Sequence, residues 1–206
     1  MKPIIPALIL SSCLALSAAF AAPAESSTQT VHEETSAYAI TYPVVIGDSD
    51  AAAAINADIA ARAAYAVKAS EWAPPSRSTG FYFREKMEDE RYLSLLFFSE
   101  LYRKEDHRLV SLGAGVVYDK ETGEKVPLAR FADVTVEDLV RLYKEGKCFR
   151  HEGQEVSGEG AKLPTRVPED YFLTIFGDIF VLFDVGEVAS LADGHTAIKV
   201  TSLKKP

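Results

Sequence analysis

The sequence has 206 residues, of which 22 are Lys or Arg and 30 are Asp or Glu, so its formal net charge is -8. Hydrophobic residues make up 48% and charged residues 25%, which is the mixture of an ordinary globular protein rather than of a disordered chain. Because a net negative charge repels the phosphate backbone, this composition excludes a general nucleic-acid-binding protein.

The first 21 residues have the pattern of a secretory signal peptide. Lys2 supplies a positive charge, Ile4 to Phe20 are mostly apolar, and small residues precede the predicted cleavage point after Ala21. We therefore expect the mature chain to be exported to the periplasm or the extracellular space and to be associated with the cell envelope. No later stretch is long and apolar enough to cross a bilayer, so no transmembrane span is expected in the mature chain.

The two cysteines leave a second interpretation of the N-terminus open. Leu10-Ser11-Ser12-Cys13 is similar to a bacterial lipobox, in which Cys13 would carry a lipid anchor. The apolar run continues from Leu14 to Phe20, and this favours the soluble outcome. Cys148 is then the single cysteine of the mature chain. It cannot form an internal disulfide, and we expect it to be buried, with pairing between two chains as the alternative.

Residues 36–75 are predicted to contribute one strand and one helix. They follow a leader, residues 22–35, whose Ala, Ser, Thr and Glu content is typical of a flexible segment. Ser36 to Ile46 is rich in β-branched and aromatic residues, as strands are, and Pro43 indicates a sheet edge or the end of that strand. Ala51 to Ser70 is an alanine-rich helix with one narrow apolar stripe.

Residues 76–206 are predicted to form the sheet–helix part of the same compact unit. Three strands come first, and they are Thr79 to Lys86, Arg91 to Lys104 and Leu109 to Tyr118. The second of these strands is apolar on both faces, which predicts that it lies in the interior of the sheet. A turn with a positive backbone φ at Gly123 is expected after the third strand.

The C-terminal elements complete an α+β fold. Thr135 to Glu145 has the cap and the amphipathic spacing of a short helix, and Lys147 to Lys162 has the composition of a surface loop. Gly177-Asp178 marks a hairpin turn, and His195 to Ser202 is the last strand. The predicted architecture is an antiparallel β-sheet with helices packed on one face.

The sequence contains none of the local motifs that carry common catalytic chemistry. The four histidines are far apart in the chain, so no local pair predicts a metal site, and no cofactor is expected. There is no Gly-x-Ser-x-Gly segment, phosphate-binding loop or dinucleotide fingerprint. Asp106 and His107 could form an acid–base pair, but neighbours on a strand face opposite ways, which favours a solvated turn. No catalytic residue is assigned.

A series of short motifs in the middle of the chain resembles a known family of domains of unknown function. The motifs are Ser99-Glu100-Leu101-Tyr102, His107, Val116-Val117-Tyr118-Asp119, Thr122-Gly123 and Val126-Pro127-Leu128. Their order is similar to that in the extracytoplasmic domain shared by lysozyme-sensing anti-sigma factors and by the non-catalytic region of certain peptidoglycan deacetylases. The similarity extends over about residues 36 to 202. It implies an envelope module whose partner is a lysozyme-like protein or a cell-wall glycan.

Aromatic residues are the remaining candidates for contact with a partner. Tyr82 and Tyr171 lie in segments with aromatic side chains on both faces of the predicted strands, where sheet packing competes with stacking on a sugar or anchoring of an interface. The set of candidate binding residues is Tyr82, Tyr102, His107, Tyr118 and Tyr171.

Three functions remain open on these grounds. The favoured one is an exported non-catalytic binding module, whose acidic charge suits a basic lysozyme-like protein. The alternative is an envelope glycan hydrolase or deacetylase-related enzyme with a site built from dispersed residues such as Glu100, Asp106 and His107. The third is an assembly protein whose exposed edge strand pairs with a partner chain.

Overall fold

The computed structural model describes residues 27–72, 77–103, 108–150, 153–156 and 160–205. The predicted signal peptide and the lipobox cysteine Cys13 lie outside these residues. The chain forms an α+β fold with two sheets of mostly antiparallel strands, as the α+β prediction requires. The strands and helices are β1 (Thr28–Glu34), β2 (Tyr38–Val45), α1 (Asp50–Trp72), β3 (Arg77–Glu88), β4 (Tyr92–Arg103), β5 (Arg108–Asp119), α2 (Val136–Lys144), β6 (Cys148–Arg150), β7 (Tyr171–Leu173), β8 (Ile179–Phe183) and β9 (Thr196–Lys199).

The first sheet has the order β1-β2-β3-β4-β5. Its neighbours are antiparallel except β2 and β3, which are parallel and are connected through α1. β1 corrects the prediction of a flexible leader over residues 22–35, because Thr28–Glu34 pairs with β2 along its whole length. Most of its side chains are exposed, so the order comes from backbone pairing that composition does not reveal.

A side-chain amide completes β2 where its pairing with β3 has ended. The ladder between β2 and β3 stops at Ile40, three residues before Pro43. At Val45 the Asn56 side chain of α1 takes the place of a strand, since its Oδ1 accepts from the Val45 N–H at 2.7 Å and its Nδ2 donates to the Val45 carbonyl at 2.9 Å. These two bonds fix the start of α1 against the end of β2.

β4 is buried on both faces, as its apolar sequence predicts. Leu93, Leu95 and Phe97 pack with the apolar stripe of α1 on one face. Leu96 and Phe98 pack on the opposite face with residues of the second sheet. Because alternate side chains of a strand point to opposite faces, this single strand joins the two cores.

The second sheet, of order β6-β9-β8-β7, is the main departure from the predicted architecture. It packs on the face of the first sheet opposite α1, so the fold has two sheets rather than one. The helices do not share one face, because α1 packs on the first sheet and α2 on β9. β6 lies inside the predicted loop Lys147 to Lys162, because a strand of three residues is too short to leave a periodic signature.

Cys148 begins β6 and is only 4% exposed, which confirms the prediction that this thiol is buried. In the described part of the chain, no helix combines the length and the hydropathy that a membrane crossing requires.

Candidate functional site

The structure gives the five candidate binding residues different environments. Tyr82 is half-buried on β3, where its ring stacks on Phe98 with a centroid distance of 5.0 Å and its hydroxyl donates to Glu100 Oε1 at 3.0 Å. Tyr102 is half-buried near the end of β4. His107 and its neighbour Asp106 lie outside the described residues.

Tyr118 and Tyr171 are packing residues rather than surface aromatics. Tyr118 has no exposed area, and Tyr171 is 2% exposed. The Tyr171 hydroxyl donates to the Val126 carbonyl at 2.6 Å, which ties β7 to the chain after β5. Neither ring is open to a sugar or to a partner in solution, so the structure corrects their assignment as contact residues.

A polar flank of α1 forms a different candidate site above β5. Asp58, Arg62 and Tyr65 are spaced i, i+4 and i+7, so they share one side of the helix, and this side faces β5. Asp58 is the centre of a cluster that also contains Arg62, Tyr118 and Lys125. We call these four residues the Asp58 cluster.

Three donors converge on the carboxylate of Asp58. Its Oδ2 accepts from the Tyr118 hydroxyl at 2.7 Å and from Arg62 Nε at 3.0 Å, and its Oδ1 lies 2.7 Å from Lys125 Nζ. Partial burial alone would raise the pKa of Asp58, but hydrogen bonds from Lys125, Tyr118 and Arg62 outweigh it and lower the pKa to about 2. Burial, together with the neighbouring Asp58 carboxylate, raises the pKa of Tyr118.

A cavity with a volume of about 780 Å³ lies beside this cluster. Its lining residues include Arg62, Lys125, Asp170 and Tyr171. Asp170 is half-buried and accepts a hydrogen bond from the Gly115 N–H at 3.2 Å. Burial, with a contribution from Asp184, raises the pKa of Asp170 above its usual value.

A smaller and more apolar cavity of about 340 Å³ lies on the other side of Arg62. Its wall includes Tyr65, whose side chain is 71% exposed, and Phe97, over whose ring the Arg62 guanidinium carbon lies 5.4 Å from the centroid. The β5 residues Leu112, Gly113 and Ala114 line this cavity, and the β5 residues Gly115, Val116 and Val117 line the larger one. The two cavities therefore follow one another along β5 and meet at Arg62. We call this surface the β5 groove.

Glycines in β5 bring the two sheets close together behind the groove. A Cβ atom on Gly113 would lie 2.9 Å from Nδ1 of His195, and one on Gly115 would lie 2.5 Å from the Tyr171 carbonyl oxygen. His195, predicted at the start of the last strand, is therefore a packed residue between the sheets, where Nε2 lies 3.0 Å from Ser111 Oγ. Across the described ranges, no group of three or more His, Cys, Asp or Glu side chains is arranged to hold a metal ion.

Sequence reasoning missed the residues that form the β5 groove. Asp58, Arg62 and Tyr65 are large polar residues in an otherwise alanine-rich helix, and their common spacing was an available signal. Lys125 and Asp170 carried no such signal, because each reaches the groove only through the packing of distant segments.

No family model matches the sequence, and no curated protein matches it. Solved structures do resemble the fold. One is a DUF3298 family member from Bacteroides fragilis NCTC 9343, with a TM-score of 0.54 and 11% identity over 87% of this chain and 92% of that chain.

A second solved structure is a DUF3298 family protein from Pseudomonas aeruginosa PAO1, with a TM-score of 0.60 and 13% identity over 87% of this chain and 94% of that chain. At these identities the likeness concerns the fold alone. The chain therefore has the fold of DUF3298 family proteins, a family whose name denotes a domain of unknown function.

Proposed function

We propose that this protein is an exported, non-catalytic binding module of the bacterial cell envelope and that the β5 groove is its binding surface. The observation that carries the proposal is that exposed Tyr65 lines the smaller cavity and that Arg62, three residues earlier on α1, lines both cavities. A tyrosine can stack on a sugar ring or anchor a protein interface, and an arginine beside it adds directional hydrogen-bond donors.

The chemistry of the Asp58 cluster favours binding over catalysis. A carboxylate with a pKa of about 2 is a weak base at neutral pH, and a tyrosine with a raised pKa keeps its proton there. Because Arg62 Nε and Lys125 Nζ are directed at Asp58, the role of the Asp58 carboxylate in the groove is to hold these two side chains in fixed positions.

A lysozyme-like protein and peptidoglycan are the partners that the sequence resemblance suggests. The formal net charge of -8 would attract a basic protein and would repel an acidic one. Peptidoglycan would use the smaller cavity, where the exposed ring of Tyr65 is available to stack on a sugar.

Isothermal titration against a basic lysozyme and against soluble peptidoglycan fragments tests the proposal. We expect one of the two titrations to give heat, and we expect Tyr65→Ala to weaken that binding by about tenfold or more, as truncation of an anchoring tyrosine does. Phe176→Ala is the matched control, since Phe176 is an aromatic residue that is 84% exposed and lines neither cavity of the groove. An absence of heat with both partners, or equal affinities of wild type and Tyr65→Ala, would overturn the proposal.

Export is tested by the N-terminus of the protein recovered from cell fractions. Mass spectrometry is expected to show Ala22 as the first residue in the periplasm or the medium. A diacylated Cys13 at the N-terminus would establish the lipid-anchored alternative, and an intact Met1 in the cytoplasm would contradict export.

A glycan hydrolase or deacetylase-related enzyme is the second candidate, and Asp170 is the observation that favours it. A half-buried carboxyl with a raised pKa in a large cavity has the environment of a general acid. This candidate predicts turnover of peptidoglycan by the wild type and its loss in Asp170→Asn, whereas a binding module leaves the glycan unchanged.

A further inference from the structure

The floor of the β5 groove is the outer edge of a β-sheet. β5 is the last strand in the order of its sheet, and its register with β4 runs from Arg108 to Asp119. At its end, the outer side of β5 is occupied, since Val126 N–H donates to the Val117 carbonyl and Tyr118 forms a bridge with Lys125. Earlier in the strand, at Ser111 and Gly113, no described residue continues the sheet beyond β5.

The alternation of an antiparallel ladder identifies which backbone groups this edge presents. The Gly115 N–H and the Val117 carbonyl both bond away from β4, to Asp170 and to Val126. Residues two apart on a strand direct their backbone groups to the same side, so the N–H and C=O groups of Ser111 and Gly113 also point outward. The exposure of the flanking Val110 and Leu112, at 50% and 59%, leaves this edge open to solvent.

The two sides of the edge offer different surfaces to the side chains of an incoming strand. On the α1 side lies the smaller cavity, with Tyr65, Phe97 and Leu112. On the side of the second sheet lie two carboxylates, Glu169, which is exposed, and Asp170, which already accepts the Gly115 N–H. The apolar side fits an apolar side chain, and the acidic side fits a basic one.

We infer that the edge of β5 from Ser111 to Gly113 binds an extended segment of a partner polypeptide as an additional strand. An apolar side chain of that segment occupies the smaller cavity, and a basic side chain lies against Asp170 and Glu169. This inference rests on the proposed function, because it assigns the class of partner to the same groove. The main chain supplies the hydrogen bonds of such a complex, and the two side pockets supply its specificity.

The register of the segment follows from the geometry of a strand. Successive side chains point to opposite faces of a sheet, and the apolar and acidic surfaces lie on opposite sides of β5. The apolar and the basic residue of the bound segment are therefore an odd number of positions apart. An acidic side chain at the position of the segment that faces Asp170 and Glu169 is disfavoured, because these two carboxylates would repel it.

A displayed library of random peptides of about eight residues, selected on the wild-type protein, provides the probe. We expect the selected sequences to contain an apolar residue and a Lys or Arg at odd spacing. Anisotropy titration of a labelled selected peptide then compares two variants at one position. Ser111→Pro removes the outward N–H that the added strand needs, whereas Ser111→Ala removes the hydroxyl and keeps that N–H.

The expected result is a loss of affinity of about tenfold in Ser111→Pro and little change in Ser111→Ala. Asp170→Asn is expected to weaken peptides with a basic residue more than the same peptides with that residue changed to Gln. Backbone N-methylation at alternate positions of the peptide is a second measurement that needs no variant. Methyl groups on one set of alternate residues should abolish binding, and those on the other set should not.

Several results would overturn strand addition. They are selection of no peptide, selection of acidic peptides, equal binding by Ser111→Pro and wild type, or indifference of the binding to N-methylation. Its failure is distinguishable from failure of the proposed function. If Ser111→Pro titrates lysozyme or glycan like the wild type while Tyr65→Ala does not, the groove binds a partner by another mode. If Tyr65→Ala also titrates like the wild type, the proposed function itself is wrong.

Discussion

The backbone of Gly115 in β5 lies directly against the backbone of Tyr171 in β7. A Cβ atom on Gly115 would come within 2.5 Å of the Tyr171 carbonyl oxygen and within 2.8 Å of its nitrogen. The backbone φ of Gly115 is not in the left-handed region, so the requirement for glycine here is close approach and not conformational freedom. This contact sets the distance between the two sheets beside the β5 groove.

Gly115→Ala is expected to lower the free energy of unfolding by about 3 kcal/mol, because two backbones must separate to admit one methyl group. Urea unfolding followed by circular dichroism measures the change. Gly80→Ala is the control on the same sheet, since its Cβ would meet only the Glu100 side chain at 3.5 Å, an ordinary contact. Equal losses in the two variants would contradict the close-approach argument.

The Asp58 cluster makes stability depend on pH in strong acid. The folded-state pKa of Asp58 is about 2, which is below the value of about 3.8 for the unfolded chain. Its contribution is therefore complete above about pH 4 and is lost as the pH falls toward 2, and it amounts to roughly 2 kcal/mol. Unfolding free energies of wild type and Asp58→Asn, measured between pH 5 and pH 2, should converge as the pH falls.

The hydrogen bond from the Tyr118 hydroxyl to Asp58 can be tested separately. Tyr118→Phe removes one donor to Asp58 and retains the buried ring. The pKa of Asp58, followed by the side-chain carboxyl resonance in NMR, should rise in this variant. An unchanged pKa would mean that the Tyr118 hydroxyl does not stabilise the carboxylate.

His195 is expected to produce a second loss of stability at milder pH. Burial lowers its pKa, and this effect exceeds the opposing influence of Asp184, the Phe183 backbone and Glu100. The folded state therefore disfavours the protonated imidazole. The contribution of neutral His195 is complete above the unfolded pKa of about 6.5 and is lost as the pH falls below it.

The slope of stability against pH between about 7 and 5 should decrease in His195→Gln, which cannot be protonated. His32→Gln is the matched control, because His32 lies exposed on β1, with 57% of its side chain accessible. If the two variants keep the same slope as the wild type, His195 is not the group that titrates.

Cys148 should resist thiol reagents in the folded protein. Burial raises the pKa of its thiol to about 11, which leaves little thiolate at neutral pH, and 4% exposure limits access. In the full chain with Cys13→Ser, an aromatic disulfide reagent should react slowly without denaturant and quickly in guanidinium. Fast reaction of the native protein, or a disulfide-linked dimer on a non-reducing gel, would contradict burial.

Local sequence patterns predicted those elements that carry their own signature. Helix α2 begins as expected at a Thr135 cap, with a reciprocal bond to Asp138, and the turn at Gly123 has the expected positive φ of 78°. β1 was missed because a polar strand held by backbone pairing has the composition of a linker. β6 was missed because three residues are too few to show a period.

The residues of the candidate site were predicted from the sequence less well than the elements of the fold. Tyr118 and Tyr171 were predicted as contact residues because they are aromatic, but both are buried and act in packing. Exposure is decided by what packs on a residue, and neither the second sheet nor its position against β5 could be predicted from local pattern. Tyr65, in contrast, is spaced from Asp58 and Arg62 so that all three lie on one side of α1. That side lies outside the apolar stripe, and Tyr65 is exposed there.

By itself, the sequence determined the α+β class, the order of the principal elements and the burial of β4 on both faces, because periodicity and composition act over a few neighbouring residues. Only the tertiary structure decided that two sheets pack through Gly113 and Gly115 and that a groove with an open strand edge lies beneath α1. Asp58 and Tyr118 are 60 positions apart in the chain, and their hydrogen bond exists because helix, strand and turn meet in three dimensions. Contacts of that range depend on packing and register, which local patterns do not encode.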